Sequence, residues 1–155
     1  MGSFNFKAAG KTKEQKTAEA LEKTAIAIGF KTPLKFSDTD GLFAMHYTLA
    51  EQMHDNLRNL LLTNWGERLG RYNYGGNLRA LTSEFVSQDD FDSKAVERIS
   101  SAVSKWMPFI SLENFLSEID RFENKNTAIV KITITYSIPA LSVSNKGLQI
   151  VLYVI

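Results

Sequence analysis

The residues best suited to chemistry are concentrated in Leu57–Gly76, which reads LRNLLLTNWGERLGRYNYGG. In this stretch a run of leucines ends at Thr63–Asn64, the charged pair Glu67 and Arg68 follows, and two glycines close it. An irregular backbone must find partners for its N–H and C=O groups, and charged side chains often supply them. The pair could therefore act on a substrate, on a partner protein or on its own loop.

Catalysis would require an acid–base pair or an activated nucleophile in a cleft. The carboxylates that could form a glycosidase-like pair are Glu67, Glu84, Asp89 and Asp90. Glu67 could in principle pair with one of the others, but nothing in the spacing requires it, and the neighbouring Arg68 favours the ionised form of Glu67, which is unsuitable for a proton donor. We therefore expect a protein without enzymatic activity.

Cofactor and metal sites have equally little support in the sequence. Neither His46 nor His54 has an acidic residue or a histidine four residues later, and neither has a nucleophile motif nearby. Gly66, Gly70 and the Gly75–Gly76 pair do not follow a strand into a helix at the spacing of a phosphate-binding loop. We expect no cofactor and no metal.

Composition limits the class of protein. The chain has 155 residues, of which 44% are hydrophobic, and a net charge of +1. These values suit one compact soluble domain and do not indicate a nucleic-acid partner. The absence of cysteine excludes disulfides and thiol chemistry, and no apolar run approaches the ~20 residues needed to cross a bilayer.

A local excess of arginine nevertheless surrounds the charged pair. One acid, Glu67, lies among four arginines, Arg58, Arg68, Arg71 and Arg79. Trp65, Tyr72 and Tyr74 are interleaved with them. Arginine mixed with aromatic residues is enriched in protein interfaces. At a nearly neutral net charge, this favours a protein partner over nucleic acid.

Hydrophobic periodicity predicts the helices that position this stretch. A leucine-rich helix begins after Thr48 and ends at Thr63–Asn64, with an apolar stripe formed by Leu49, Met53, Leu57, Leu60 and Leu61. A short helical turn follows at Asn77–Leu81. A second long helix begins at Phe91, with Asp92 as its cap, and ends at Trp106 before Pro108.

Beyond Pro108 the period changes to two, which predicts antiparallel strands. The expected strands are Ile110–Phe122, with a slip at Phe115–Leu116, then Ala128–Ile138, and Leu148–Ile155 after a polar turn at Ser142–Gly147. The last strand is apolar on both faces and carries no charge. It must therefore lie inside the sheet, as single-chain statistics favour, or pair with a strand from a partner.

The predicted fold class is α+β. The leucine-rich helix, the short helix and the second long helix pack on a small, mainly antiparallel sheet with a C-terminal edge strand. Residues 1–26 form a flexible or helical N-terminal arm, and residues 27–155 form a single domain.

The order of these features resembles the T4 gene product 25-like family of baseplate wedge proteins from contractile phage tails. Five short motifs over about Ala27–Ile138 carry the resemblance: Ile28-Gly29-Phe30, Leu61-Leu62-Thr63, Gly66-Glu67-Arg68, Tyr74-Gly75, and the aromatic-x-Pro pair Trp106 and Pro108. The chain departs from the family at Met107 and Phe109, where relatives have Glu and Arg.

The resemblance implies a structural subunit present in six copies in the virion baseplate and assembled in the host cytoplasm. Its expected partners are the tail sheath protein, other wedge and core-bundle proteins, and the tail tube or hub, with no nucleic acid and no membrane. It assigns Gly66, Glu67, Arg68, Tyr74 and Gly75 to a structural loop, Trp106, Met107, Pro108 and Phe109 to the core-bundle interface, and Leu148, Ile150, Val151, Tyr153 and Ile155 to strands that prime sheath assembly.

Three other functions remain open at this stage. Similar subunits occur in type VI secretion and other contractile injection systems. Some relatives carry a lysozyme label, and a distant relative is an anti-adaptor that binds a response regulator. Sequence alone does not separate these from a phage baseplate.

Overall fold

A computed structural model describes Lys13 and residues 26–37, 41–83, 87–121 and 128–154. The predicted arm at 1–26 and the turn after residue 122 lie almost wholly outside the described residues. The chain divides into two compact units, residues 1–48 and residues 49–155, and each is described here by itself.

The first unit contains two short antiparallel strands, β1 (Gly29–Phe30) and β2 (Met45–His46). An isolated bridge joins Phe36 to Phe43, whose rings stack with centroids 5.8 Å apart. Phe30 meets Phe43 edge to face at 5.9 Å. These three phenylalanines hold together the short extended pieces that the sequence predicts for this region.

The described residues of the second unit form three α-helices, and all three were predicted. The leucine-rich helix α1 spans Leu49–Leu62, the short helix α2 spans Leu78–Ser83, and the long helix α3 spans Gln88–Trp106. The end of α1 at Leu62 agrees with the predicted stop. Within its predicted stripe, Leu57, Leu60 and Leu61 are buried, whereas Leu49 is exposed.

The predicted start of α3 was wrong. The helix begins at Gln88 because the Ser87 side chain accepts a hydrogen bond from the Asp90 backbone N–H at 3.3 Å, which is the N-cap arrangement. Asp92 lies inside the helix instead. Its carboxylate accepts a hydrogen bond from the Ser117 hydroxyl at 2.5 Å and thereby connects α3 to the sheet.

The sheet has the order β3–β4–β5, with β3 at Ser111–Arg121, β4 at Ala128–Ile138 and β5 at Val143–Val154. Both pairings are antiparallel, and β4 has the predicted bounds. Among the described strands, β5 pairs only with β4. The α+β fold with a C-terminal edge strand is therefore confirmed, and the alternative of a central C-terminal strand is wrong.

Two local predictions in the sheet were also wrong. The register shift in β3 lies between Leu112 and Asn114 rather than at Phe115–Leu116. The turn predicted at Ser142–Gly147 is mostly strand, because the chain reverses earlier through a 3₁₀ turn at Pro139–Leu141. Ser142 and Asn145 take positive φ angles there, so the polar residues mark local distortions within a hairpin.

One face of the sheet carries the core. Helices α1 and α2 pack on β5, and α3 packs on β3. The side chains that share this core include Leu57, Leu60, Leu61, Leu78, Phe91, Ile99, Val103, Ile132, Ile134, Ile150 and Leu152. At its centre the fully buried Tyr136 places its hydroxyl 2.7 Å from His54 Nδ1, so a polar contact joins α1 to β4 inside the core.

We predict that Tyr136 makes folding sensitive to alkaline pH. Burial, with a smaller contribution from the Asp55 carboxylate, raises the pKa of Tyr136 to about 12 from a usual 10.0. Its stabilising contribution is therefore complete below pH 10 and is lost as pH rises through 12. The loss amounts to about 2–3 kcal/mol of unfolding free energy.

Chemical denaturation between pH 7 and 11.5 tests this prediction. Tyr136→Phe should lower stability by about 1 kcal/mol at pH 7, because the hydrogen bond with His54 is lost, and should remove most of the alkaline decline. Tyr153→Phe, which removes an exposed hydroxyl, is the control and should behave as wild type. An unchanged alkaline decline in Tyr136→Phe would contradict the prediction.

Candidate functional site

The irregular segment between α1 and α2, residues 63–77, is held against the end of α1 by backbone hydrogen bonds. The Gly76 N–H donates to the Leu60 carbonyl at 3.0 Å, and the Asn77 N–H donates to the Thr63 carbonyl at 3.2 Å. The last carbonyls of a helix have no partner within the helix. The returning loop supplies partners here, so the loop itself caps α1.

This return is possible only because position 75 is glycine. Gly75 has a φ angle of +118°, and a Cβ built on it would lie 2.1 Å from the Thr63 carbonyl oxygen. Gly76 also approaches α1 closely, with its Cβ position 3.0 Å from the Leu61 carbonyl oxygen. The aromatic-glycine turn that the sequence singles out is therefore the point at which two backbone segments touch.

Glu67 bridges the start of the same loop. Its two carboxylate oxygens accept hydrogen bonds from Asn64, one from the backbone N–H at 2.7 Å and one from the side-chain amide at 2.8 Å. These bonds lower the pKa of Glu67, and the charges of Arg79 and Arg68 lower it further. Glu67 is thus an ionised acceptor whose principal partner is Asn64 rather than Arg68.

Around this loop, cations lie over aromatic rings. We call the set Trp65, Arg68, Arg71, Tyr74, Arg98, Lys105 and Trp106 the aromatic–cation cluster. Tyr74 meets Trp106 edge to face at 5.1 Å, and Arg71 and Lys105 lie 5.5 Å and 5.1 Å from the Trp106 ring centroid. The cluster therefore brings the loop motif and the end of α3 together on one surface.

The corner after α3 is partly buried. Met107 lies in the core and its N–H donates to the Val103 carbonyl at 2.8 Å, which extends the helix end by one hydrogen bond. Pro108 is exposed, and Phe109 is 44% exposed. Of the four residues that the resemblance assigns to the core-bundle interface, Pro108 and Phe109 are therefore the most accessible.

The last part of β5 borders an open groove of about 850 Å³ that we call the β5 groove. Its walls are the end of α1 with the adjoining loop, helix α2 and the last residues of β5. The lining residues include Leu62, Asn64, Glu67, Leu78, Arg79, Val151 and Tyr153. Val151 and Tyr153 are 40% and 66% exposed, whereas Leu148 and Ile150 are buried in the core. Ile155 lies outside the described residues.

The two edges of the sheet differ in how well they are protected. The β3 edge carries Glu113, Glu118 and Asp120, and a register shift interrupts it near Asn114. The β5 edge carries no charge from Gly147 to Val154. Charges and bulges are the usual devices that prevent strand addition. On β5 the charge of Lys146 and the register shift lie before Gly147, so the stretch from Gly147 to Val154 lacks both devices and remains suited to pair with another strand.

The described residues offer little for metal or membrane binding. No group of three His, Asp or Glu side chains in them is arranged to hold a metal ion. Nor does any helix within the described ranges have the length and apolar character of a membrane span.

Comparison with solved structures shows where this fold occurs. The chain superposes on a chain of the anti-feeding prophage baseplate, solved by cryo-EM with six-fold symmetry, with a TM-score of 0.58 and 23% identity over 77% of this chain and 90% of that one. The two chains therefore share a fold. No family model matches the sequence, and no curated protein matches it.

Two further structures show weaker similarity. One is a chain of the post-contraction pyocin R2 baseplate, with a TM-score of 0.49 and 18% identity over 68% of this chain and 97% of that one. The other is a candidate tail lysozyme from Geobacter sulfurreducens, with a TM-score of 0.48 and 21% identity over 71% of this chain and 94% of that one.

Sequence reasoning missed the basic stripe of α3. Lys94, Arg98 and Lys105 recur at helical spacing along one side of the apolar stripe, and all three line a cavity beside the loop. The spacing of four and seven residues was available in the sequence.

We predict that Gly75→Ala destabilises the fold by about 3 kcal/mol or more, because the new methyl group would overlap the Thr63 carbonyl and the residue would keep a strained φ. Gly70→Ala is the matched control. Gly70 also has a positive φ, +76°, but nothing lies within 4 Å of its Cβ position. It should lose only about 1 kcal/mol in urea denaturation. Equal losses in the two variants would contradict the steric argument.

We also predict that Glu67 stabilises the loop only while ionised. Because its folded pKa is lowered below the usual 4.5, its contribution is present above that pH and is lost as pH falls through the folded value. Glu67→Gln should lower the melting temperature at pH 7 and weaken its decline in acid. Glu113→Gln, an exposed change on β3, should do neither. Melting curves between pH 3 and 7 compare the two variants.

Proposed function

We propose that the chain is a structural subunit of the baseplate of a contractile tail or injection particle, and that its β5 edge receives a strand from a partner protein. The observation that carries the proposal is the unprotected β5 edge beside an open groove. The shared fold with the anti-feeding prophage baseplate chain supports the particle class.

The groove geometry suits strand addition. A strand added to β5 would lie about 4.8 Å from it, in the space that α2 and the end of α1 border on the other side. Backbone hydrogen bonds would supply most of the affinity, and alternate side chains would meet Leu62 and Leu78 in the groove. The charges of Glu67 and Arg79 lie at the same wall, where they would fix the register of the added strand.

In the detailed form of the proposal, the added strand comes from an arm of the tail sheath protein, and the subunit primes sheath assembly. Leu148 and Ile150 anchor β5 in the core and offer their backbone groups to the arm, while the side chains of Val151 and Tyr153 contact it. Trp106, Pro108 and Phe109 contact wedge and core-bundle proteins of the baseplate. The subunit acts in six copies in the tail particle, as a phage wedge protein or its counterpart in another injection system.

The proposal also holds that the subunit is not an enzyme. Both oxygens of Glu67 are engaged by Asn64, and its lowered pKa makes it a poor proton donor at neutral pH. Asp90 is paired with Lys94 at 2.9 Å. A purified preparation should therefore lack peptidoglycan-cleaving activity, and a genuine activity abolished by Glu67→Gln would refute this part.

Assembly on the β5 edge can be tested with one added charge. Val151→Lys should abolish or strongly slow sheath polymerisation on baseplates, because a charged side chain, lysine in particular, is a usual device by which an edge strand prevents strand addition. Ser144→Lys adds the same charge to an exposed residue of β5 outside the groove and should assemble as wild type. Both variants should keep the melting temperature of the parent chain.

The readout is sheath length by negative-stain electron microscopy, with sheath and baseplate proteins encoded beside this chain. Normal sheaths on Val151→Lys baseplates would refute strand addition at this edge. Genes for sheath, tube and wedge proteins should flank the gene for this chain. A neighbourhood without them would refute the particle class itself.

A further inference from the structure

We infer that the cavity between the 63–77 loop and α3 binds an acidic segment of a partner protein. This cavity, which we call the α3 cleft, has a volume of about 620 Å³. Trp65 and Trp106 line its walls together with Lys94, Arg98 and Lys105 of α3. The inference concerns a different surface from the β5 groove and does not rest on the proposed function.

The first argument is charge. Three cations and one acid, Glu97, line the cleft, and Arg71 lies beside it over the Trp106 ring. Lys94 is paired with Asp90, but Arg71, Arg98 and Lys105 form no ion pair within the described part of the chain. The cleft therefore presents a local positive charge that the net charge of the chain, +1, does not reveal.

The second argument is preorganisation. Arg98 donates to the Asn77 carbonyl at 2.6 Å and lies 5.7 Å from the Trp65 ring centroid, so its guanidinium group is fixed while most of its five N–H donors remain for a ligand. Lys105 and Arg71 are held near the Trp106 ring in the same way. Cations fixed on rings lose less conformational entropy on binding than freely moving ones.

The third argument is spacing. Arg98 and Lys105 are seven residues apart on α3, which places them roughly 10 Å apart along the helix axis. Two carboxylates three residues apart on a peptide in the polyproline II conformation lie on one face and span roughly 9 Å. An extended segment with acids at this spacing can therefore meet both cations at once, with the indole rings beneath its backbone.

The aromatic rings favour a peptide over single-stranded nucleic acid. Binding of bases requires an uncovered aromatic face for stacking. Here a cation lies over each indole ring, and Tyr74 meets Trp106 edge to face. Carboxylates can reach these cations without displacing them from the rings, which makes a flexible acidic segment the better occupant.

The chain supplies its own probe for this inference. It contains two tryptophans, and both line the α3 cleft. Intrinsic tryptophan fluorescence therefore reports on this site alone. Titration with a glutamate-rich peptide should give a saturable change in emission that weakens as salt is raised, whereas the glutamine-for-glutamate version of the peptide should give none.

Single substitutions assign the binding to the cleft. Lys105→Gln and Arg71→Gln should each weaken binding of a dye-labelled glutamate-rich peptide by roughly 3- to 10-fold in fluorescence polarisation, as expected for the loss of one partly screened ionic contact. Lys146→Gln removes the same charge from β5, outside the cleft, and should bind as wild type. Melting curves establish that all three variants are folded.

Several results would overturn the inference. They are the absence of a saturable response to the glutamate-rich peptide, equal binding of the glutamine peptide, and unchanged affinity in both cleft variants. Tighter binding of an oligothymidine strand than of the peptide would assign the cleft to nucleic acid instead. Sheath assembly is not part of this test, so the result leaves the β5 proposal unaffected.

Discussion

The close approach of the Gly75–Gly76 backbone to the end of α1 is the constraint on which the rest of the second unit depends. It brings the loop back under the last carbonyls of a buried leucine helix, and it directs the chain into α2. Because α1 and α2 both pack on β5, this one contact determines the position of the two helices that line the β5 groove. A displaced loop would alter the β5 groove and the α3 cleft together.

The polar groups of the loop divide into two kinds. Glu67 accepts hydrogen bonds from Asn64 and fixes the loop backbone, whereas the neighbouring cations Arg68 and Arg71 lie over aromatic rings. The charged pair that stands out in the sequence is thus not an ion pair in the described part of the structure. Its acid completes a turn, and its base belongs to a larger cluster that extends to the end of α3.

Periodicity predicted the helices and the central strand because each of these elements buries one regular face. The fold class followed from their order. Periodicity failed where one local hydrogen bond or backbone angle decides where an element begins or ends. The Ser87 cap moves the start of α3, and positive φ angles at Ser142 and Asn145 let a polar sequence continue as strand. The loop residues were predicted as a group, but their partners were not, since Trp106 and Arg98 reach them only through tertiary structure.

The unequal edges of the sheet have a consequence for assembly. An element that accepts strands on both sides can be linked indefinitely, as happens in fibrils. Here the β3 side is charged and interrupted, while β5 carries no charge from Gly147 to Val154, so the proposed strand addition is restricted to one edge. Under the proposed function, a molecule with this polarity acts as a terminus: it starts a stack of subunits, fixes the orientation of the stack, and cannot be incorporated into its middle.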